Sequence, residues 1–347
     1  MNITFFIGNG FNLNLGLHTT YADFLNSYKE ITPQDSKVTA YLKTLLAAEE
    51  PSARWSDAEV FWGKITAQFL QDGYSADDFY DAYEDFCGAL SAAQTEEEKR
   101  IPFETLTTKI VEGFSSALLN FADGFRETEK ALLLQYAESF DSRMCYRFVD
   151  FNYTSVLEKC LETVNAVPEC IGTTLVHGKP LQNRILSHLH IHGDLKKSMV
   201  LGVSDVSQIA GTALFDGLGE EYIGQLIKQR ANEMYKEDAD KKAIDVLKAS
   251  DLIFIYGMSL GITDKLWWER ICELLKQNKR MHIILHAFDA PQNQLIARRL
   301  VTFEKQRRAE FVQFADCTPE EAEELATRIH IDSSNIFAKI SGLANEK

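Results

Sequence analysis

A short apolar run followed by two closely spaced glycines opens the chain and limits what it can fold into. Residues 3–7 (ITFFI) are all β-branched or aromatic, which is typical of a central strand covered on both faces. Gly8 and Gly10 follow, and residues without a Cβ atom allow a sharp turn and close approach of a ligand. A helix after this turn would direct free N–H groups towards a phosphate. The pattern predicts an α/β fold with a ligand site, although such strand exits also occur without a ligand.

Composition places the chain among ordinary globular proteins. Its 347 residues are 45% hydrophobic and 25% charged, enough for two domains or for one domain with a large insertion. A formal net charge of −15 argues against broad binding to nucleic acids or anionic membranes. No stretch reaches the roughly 18 uncharged apolar residues of a membrane span, and the first residues lack the basic region of a secretory signal. We therefore predict a cytoplasmic protein without a membrane or nucleic-acid partner.

The cysteines give no sign of a metal site or of a disulfide framework. The chain contains Cys87, Cys145, Cys160, Cys170, Cys272 and Cys317. No two of them form a CxxC pair, and zinc sites need more closely spaced ligands. We interpret them as reduced thiols of the core, and the sequence predicts no bound metal.

A long segment near the N-terminus has the pattern of helices. Apolar side chains recur at helical spacing in residues 37–48, 58–70, 76–90 and 104–137. The breaks fall at Pro33, Pro51, residues 72–73 and Pro102. We therefore predict an all-α domain of residues 21–140, inserted into an α/β domain formed by residues 1–20 and 141–347.

Apolar runs in the second half of the chain predict strands that end in polar or small residues. Residues 145–151 lead into Asn152, Tyr153 and Thr154, and residues 251–256 lead into Gly257. A helix of about 15 residues and a strand at 281–288 follow, which forms a βαβ unit and indicates a parallel sheet. Ligands of such sheets bind at the carboxyl ends of the strands. The strand exits therefore predict one bridging ligand.

Three more segments complete the predicted α/β domain. Residues 198–203 and 310–315 are candidates for short strands, the latter at an edge of the sheet. The tail from Pro319 has the pattern of an amphipathic helix.

A pair of histidines ends another candidate strand, residues 187–192. Strand alternation puts His190 and His192 on one face, and Gly193 follows. His192 is either a core histidine bonded to a backbone carbonyl or a base with a pKa near neutrality. His190 would pack beside it or support it. His177 also precedes a glycine and is a rival for the functional histidine.

Two common nucleotide-binding motifs are missing. The chain has no GxxxxGK[ST] motif, which argues against an ordinary P-loop NTPase. Leu13 stands where the third glycine of GxGxxG would fall. This argues against a standard hydride-transfer dehydrogenase site.

Several segments together resemble the AbiH family of bacterial abortive-infection proteins, a relative of the sirtuin-like NAD-binding fold. In chain order they are residues 6–13 (FIGNGFNL), 16–24 (GLHTTYADF), 151–154 (FNYT), 190–193 (HIHG), 201–202 (LG) and 256–264 (YGMSLGITD). Trp55 and Glu59 also look like family features. The resemblance implies a sirtuin-like, Rossmann-like parallel sheet with a large all-α insertion, and a role against phage. It implies NAD as ligand or substrate, cleaved to nicotinamide and ADP-ribose, with control by a phage-derived trigger or by homo-oligomerisation.

The resemblance also implies roles for individual residues. Residues 8–11 would hold the dinucleotide phosphates, Asn152 would contact the nicotinamide ribose, and His192 would be the base. The residues expected to bind the nucleotide are Gly8, Asn9, Gly10, Phe11, Asn12, Tyr153, Thr154, Gly193, Gly257, Ser259 and Asp264. Asp264 also fits a helix N-cap, and Asn152 fits an Asx turn, so structural roles stay open for both.

The chain departs from the family pattern at two positions. Asn12 stands where the family commonly has Asp, and Met258 where it commonly has His. Either change would alter the ligand preference or leave an inactive site. Two alternatives to an NAD hydrolase therefore remain: a non-catalytic nucleotide-binding sensor of a defence system, and a nucleotide or nucleic-acid hydrolase. The zinc-binding cysteines of true deacetylases have no counterpart here, which argues against deacylation of lysine peptides.

Overall fold

A long helical segment separates the first strand of the main sheet from its other five strands. A computed structural model of the protein describes residues 1–48, 55–195, 198–235, 238–291 and 297–346. Its strands are Asn2–Ile7 (β1), Cys145–Asp150 (β2), Thr173–Val176 (β3), Lys179–Gln182 (β4), Arg184–His190 (β5), Gly193–Asp194 (β6), Ser198–Met199 (β7), Leu252–Tyr256 (β8), His282–His286 (β9) and Ile329–Asp332 (β10). Its helices are Gly10–Asn14 (α1), Tyr21–Tyr28 (α2), Lys37–Ala48 (α3), Trp55–Gln71 (α4), Ala76–Glu98 (α5), Thr107–Leu119 (α6), Glu127–Glu138 (α7), Val156–Asn165 (α8), Glu220–Gly224 (α9), Lys228–Met234 (α10), Ala239–Lys248 (α11), Lys265–Gln277 (α12), Arg298–Val312 (α13) and Pro319–Ala326 (α14).

Six strands form one parallel sheet in the order β10-β9-β8-β1-β2-β5. The chain begins in the middle, adds β2 and β5 on one side, and then returns to add β8, β9 and β10 on the other. This is the strand order of doubly wound, Rossmann-like sheets, and it confirms the predicted α/β class. Ile7 at the end of β1 is level with Asp150 of β2 and Tyr256 of β8. Residues that follow these strands therefore meet at one edge.

Both faces of the sheet are covered, as the apolar composition of β1 predicted. Phe5 faces one core together with Phe148 and Phe254, and the rings of these neighbours stack on Phe5 at 5.1 and 5.4 Å. Helices α6, α7 and α8 pack on this face. Phe6 faces the opposite core, where α11 to α14 pack. A strand buried on both faces must be apolar at consecutive positions, which explains the run at 3–7.

The described part of segment 21–140 contains helices α2 to α7 and no strand. Helices α2 to α5 share a separate core with Tyr153, Leu201 and Leu226, whereas α6 and α7 pack directly on the sheet. The segment therefore contributes to two cores. The predicted helix break at Pro51 lies outside the described residues. None of the helices in the described ranges combines the length and apolar character needed to cross a membrane.

One strand prediction near the C-terminus and one in the middle of the chain differ from the structure, and one strand was not predicted. Residues 310–315 do not form an edge strand, because α13 continues to Val312 and irregular chain follows. The edge strand is β10, which the sequence analysis missed because its four residues directly follow a helix. The candidate strand at 198–203 is reduced to β7. Short strands of this kind depend on their neighbours and carry little periodicity of their own.

Candidate functional site

A cavity of about 870 Å³ lies along the carboxyl edge of the main sheet. Pockets for small molecules commonly measure about 300–1,000 Å³. Lining residues follow every strand of the sheet: Gly8 after β1, Asn152 after β2, His192 after β5, Gly257 after β8, Phe288 after β9 and Asn335 after β10. Because β1 and β8 are neighbours where the chain reverses direction, the cavity lies at the topological switch point of the sheet, the usual ligand site of this fold class.

Close contact between two turns is the main reason why three positions at this edge are glycines. A Cβ atom on Gly10 would lie 2.4 Å from the Cα of Gly257, and one on Gly257 would lie 2.8 Å from the Cα of Gly10. A Cβ on Gly8 would lie 2.6 Å from the carbonyl oxygen of Gly257. Gly257 also has a φ of +68°, which favours glycine. The turns after β1 and β8 therefore pack backbone against backbone, while all three glycines still line the cavity.

The helix after the first turn does not offer the open N-terminus that the sequence suggested. Helix α1 has only five residues. The N–H of Gly10 donates to the carbonyl oxygen of Gly257 at 2.8 Å, and that of Phe11 donates to Gly8 at 3.0 Å. The Phe11 ring is fully buried in the core between Phe114 and Phe337. Phe11 therefore has neither a side chain nor an N–H directed at a ligand.

Asparagines form a neutral network at the cavity floor, which we call the amide network (Asn9, Asn12, Asn152 and Thr154). Asn12 Nδ2 donates to Thr154 Oγ1 at 3.0 Å and lies 3.4 Å from Asn152 Oδ1 and 3.5 Å from Asn9 Oδ1. Asn152 Nδ2 donates to Asp150 Oδ1 at 2.8 Å. Three of the four residues line the cavity, whereas Thr154 lies behind Asn12. The network orients the amide of Asn152 towards the cavity.

An Asx turn is present here, but the side chain of Asp150 forms it and not that of Asn152. Asp150 Oδ1 accepts the backbone N–H of Asn152 at 2.9 Å. Asp150 is completely buried. Asn152 Oδ1 is approached only by the long contact from Asn12 among the described residues, so it keeps capacity to accept a hydrogen bond.

Titratable residues from four parts of the chain form a second group, which we call the ion cluster (Glu59, His192, Lys228 and Asp264). Lys228 Nζ lies 2.6 Å from Glu59 Oε1 and 2.9 Å from Asp264 Oδ1. His192 Nε2 lies 3.6 Å from the same Asp264 oxygen. Asp264 occupies the N-cap position of α12 but makes no capping hydrogen bond with its side chain. The expected cap is therefore wrong, because Lys228 engages the carboxylate instead.

Burial and charge move the pKa values of the two carboxyl groups in opposite directions. Burial raises the pKa of Glu59, and Lys228 offsets this only in part. Burial acts in the same direction on Asp264, but Lys228 and His192 outweigh it and hold the pKa of Asp264 well below its usual range. Burial lowers the pKa of Lys228, but the two carboxylates outweigh that effect and raise it. Carboxyl groups whose pKa values diverge in this way are typical of acid–base sites.

His192 has a ring nitrogen without a structural partner. Its Nε2 is buried and has no hydrogen-bond partner among the described residues, and 3.6 Å to Asp264 is too long for a hydrogen bond. The ring lies edge-on to Phe151 at 5.3 Å and lines the cavity. His177 by contrast lies in the turn between β3 and β4, is 81% exposed and pairs with Asp141. Of the two histidines that precede a glycine, only His192 faces the cavity.

The far side of the cavity is aromatic and neutral. Tyr256 stacks on His286 with ring centres 4.4 Å apart, and its hydroxyl donates to Asn335 Oδ1 at 2.8 Å. Asn335 Nδ2 in turn donates to Asn14 Oδ1 at 2.6 Å. Burial lowers the pKa of His286 to about 4, so this imidazole is neutral at pH 7. Phe288 is 78% exposed at the rim, where a planar ring can stack.

Most of the residues that the sequence singled out meet at this cavity. Those that line it are Gly8, Asn9, Gly10, Asn12, Asn152, Tyr153, His192, Gly257, Ser259 and Asp264. Phe11, Thr154 and Gly193 are not among the lining residues. The sequence analysis noted Glu59 but assigned it no role. It missed Gln94, Lys228, His286 and Asn335, which lie in segments without a recognisable motif.

Comparison with known proteins identifies one family. The family model described as "Bacteriophage abortive infection AbiH" matches residues 4–286. The match covers β1 through β9 and includes Glu59, Asn152, His192, Lys228 and Asp264. No curated protein and no solved structure matches the chain significantly.

Proposed function

The chain belongs to the AbiH family of bacteriophage abortive-infection proteins, and from the chemistry of its cavity we propose that it hydrolyses NAD to nicotinamide and ADP-ribose as an anti-phage effector. The observation that carries this proposal is the buried, unpartnered Nε2 of His192 beside the ion cluster. The sirtuin-like resemblance of the turn and strand-exit motifs supports NAD as the ligand.

The charge of the ion cluster suits this reaction. Glu59 and Asp264 share one ammonium group, that of Lys228, and the pKa of Asp264 is held well below its usual range by Lys228 and His192. An ionised carboxylate therefore lines the cavity beside His192. The nicotinamide ring of NAD is cationic, and cleavage of its N-glycosidic bond passes through an oxocarbenium-like state. Fixed negative charge in a buried site favours both. No lysine or arginine is among the described residues that line the cavity, so no side-chain cation of the lining opposes the nicotinamide ring.

Each step of the cleavage has a residue suited to it. Water attacks the anomeric carbon, the bond to nicotinamide breaks with its electron pair, and nicotinamide leaves as a neutral molecule. His192 Nε2 accepts the proton of the water or of a ribose hydroxyl. Asp264 stabilises the resulting imidazolium at 3.6 Å. Asn152 Oδ1 orients the water or hydroxyl, because the Asn152 amide nitrogen is held by Asp150.

The far side of the cavity suits the adenosine half of a dinucleotide. Tyr256, His286 and Phe288 offer aromatic faces for a base. Asn14 and Asn335 offer neutral hydrogen-bonding groups nearby. The cavity thus changes from charged and enclosed at His192 to neutral and open at Phe288.

A test of this function follows nicotinamide release. The purified chain is incubated with NAD, with and without phage lysate, and nicotinamide is measured by chromatography. We expect His192→Ala and Asn152→Ala each to lower the rate by about 10²-fold or more, since proton transfer commonly contributes that much. His177→Ala, a histidine substitution far from the cavity, is the matched control and should leave the rate unchanged. Equal rates for the His192→Ala variant and the wild type would contradict the proposal.

A second candidate is a nucleotide sensor without catalysis. Glu59 of α4 and Gln94 of α5 both line the cavity, so a bound nucleotide would contact the helical segment directly. Ligand occupancy would then change how α4 and α5 pack against the sheet. Tight NAD binding without nicotinamide release, even with phage lysate, would favour this function over hydrolysis. Absence of NAD binding would contradict both.

A further inference from the structure

Two histidines and an aspartate meet beside the cavity floor, and the proposed hydrolysis uses only the aspartate, as the residue that orients Asn152. Asp150 is the last residue of β2, and His188 and His190 lie near the end of β5. In the parallel pairing of these strands His190 is level with Asp150. Residues two apart on a strand share a face, so both imidazoles lie on the side of the Asp150 carboxylate.

The distances within this group are those of potential metal ligands. Asp150 Oδ2 lies 3.2 Å from His188 Nε2 and 3.8 Å from His190 Nδ1. One ligand atom from each of the three residues lies within 4.8 Å of the other two. Metal bonds of about 2.0–2.2 Å bring neighbouring ligand atoms to roughly 3–3.5 Å from one another. The separations within the group are therefore close to those of ligands around one ion.

The hydrogen bonds around the group leave the right lone pairs open. Asp150 Oδ1 accepts both the N–H and the amide of Asn152, which fixes the carboxylate. Asp150 Oδ2 lies 3.2 Å from His188 Nε2, and a metal ion between these two atoms would replace that hydrogen bond. His190 Nδ1 lies 3.1 Å from the carbonyl oxygen of Asn152, which places the ring proton on Nδ1. His190 Nε2 is buried without a hydrogen-bond partner among the described residues. Metal-binding imidazoles typically donate their other N–H to a carbonyl or carboxylate in this way.

The burial of Asp150 calls for a compensating positive charge. The carboxylate is completely buried, and among the described residues its ion-pair partners within 4.0 Å are the two histidines alone. Buried carboxylates are costly unless they are paired or coordinate a metal. Either a protonated histidine or a metal ion supplies that charge, and the open Nε2 of His190 favours the ion.

We propose that Asp150, His188 and His190 bind one divalent transition-metal ion. Two imidazoles and one carboxylate favour Zn²⁺, Mn²⁺ or Fe²⁺ over Mg²⁺ and Ca²⁺, which prefer oxygen ligands. The ion would tie the carboxyl end of β2 to that of β5. Asn152 and His192 each follow one of these strands by two residues, so the ion would act as a positioning element for both.

Metal content of matched variants tests this site. Wild type and variants are stripped with a chelator, loaded with Zn²⁺, passed through gel filtration and analysed for bound metal per chain by mass spectrometry. We expect the wild type and the His177→Ala control to hold one more ion per chain than His188→Gln and His190→Ala. The six cysteines can bind zinc in any variant, so the difference between variants is the readout. His188→Gln keeps a group that can donate to Asp150 and should preserve the fold.

Two further measurements keep the site testable if a variant fails to fold. Zn²⁺ should raise the melting temperature of the wild type, because a ligand that binds only the folded state stabilises it, and Mg²⁺ at the same concentration should not. The X-ray absorption spectrum of the loaded wild type should show scattering from two imidazoles. Equal zinc content in all four proteins, or a spectrum with sulfur ligands and no imidazole, would overturn the metal site. A loss of zinc in His177→Ala as large as that in His188→Gln would do the same. None of these readouts depends on NAD hydrolysis.

Discussion

The amide network and the ion cluster face the same cavity, but hydrogen bonds between neutral groups stabilise the first and ion pairs stabilise the second. The amide network consists of neutral groups that contact one another at 3.0 to 3.5 Å, and Asn152 is anchored to the Asp150 carboxylate outside the network at 2.8 Å. The ion cluster holds two carboxylates and one ammonium in a buried setting, with an imidazole nitrogen that has no partner among the described residues. A neutral network can position a substrate, whereas proton transfer needs groups whose pKa values are displaced from their usual range. The difference assigns positioning to the first group and proton chemistry to the second.

The strongest test of this difference is to remove the ammonium group of Lys228, which Glu59 and Asp264 share. We expect Lys228→Met to lower the free energy of unfolding by about 3–5 kcal/mol, because it leaves two buried carboxylates without a positive partner. Urea unfolding measures the change. Lys241→Met is the matched control, since Lys241 is an exposed lysine paired with Asp238, and it should cost less than about 1 kcal/mol.

A double variant identifies the origin of that loss. Lys228→Met combined with Glu59→Gln should recover part of the stability, because one of the two stranded carboxylates is gone. If the double variant is as unstable as the two single changes added together, the residues act independently. The description of an ion cluster would then be wrong.

A charge placed in the amide network tests the other half of the comparison. Asn12→Asp introduces a carboxyl group at a buried position, next to oxygens of Asn9 and Asn152. We expect a loss of about 1–3 kcal/mol at pH 7, because the donor to Thr154 disappears and a buried charge lacks a partner. Burial would raise the pKa of this new carboxyl group in the folded state. The loss should therefore grow as the pH rises and vanish below about pH 4.

Chemical unfolding between pH 4 and pH 8 checks this prediction. Asn120→Asp changes the same residue type at an exposed position and should show little effect at either pH. An Asn12→Asp protein as stable as the wild type at pH 7 would mean that a positively charged group near this position compensates the new carboxylate. Such a result would also revise the role of Asn12.

The smallest effect is expected from Glu59→Gln. The raised pKa of Glu59 means that its contribution to stability is present below pH 4.5 and is lost as the pH rises through the folded-state value. Gln can still accept a hydrogen bond from Lys228, which keeps Asp264 as its counter-charge. The variant should differ from the wild type by no more than about 1 kcal/mol at pH 7 and lack this loss of stability with rising pH. Denaturant titrations at several pH values measure it, with exposed Glu96→Gln as control. A large loss at pH 7 would show that Lys228 needs both carboxylates.

The sequence predicted the parts of the cavity that come from strand exits. The apolar run at β1, the polar exit at Asn152 and the glycine exit at Gly257 were visible because each combines a buried strand with residues that strands avoid. Their convergence followed from the rule that parallel strands end at a common edge. The sequence could not decide between His177 and His192, because both precede a glycine. Only the fold shows that His177 lies in an exposed hairpin turn and His192 at the cavity.

Contributions from helices were beyond the reach of sequence patterns. Lys228 lies in a polar helical stretch without a motif, and its partners Glu59 and Asp264 are distant along the chain. Asp264 was expected to cap α12 because capping is a local rule, but a buried ammonium attracts the carboxylate more strongly than helix N–H groups do. The proposed metal group has no sequence signal for a similar reason, since Asp150 and His188 are 38 residues apart.

The sequence by itself determined the doubly buried central strand, the glycine turns and the family of this protein, because these depend on residues that are neighbours in the chain. Only the tertiary structure decided which side chains share the cavity, that the pKa values of Glu59 and Asp264 move in opposite directions, and that the glycines lie where two turns are in contact. Burial and long-range charge contacts govern these properties, and both arise only when distant segments are packed together.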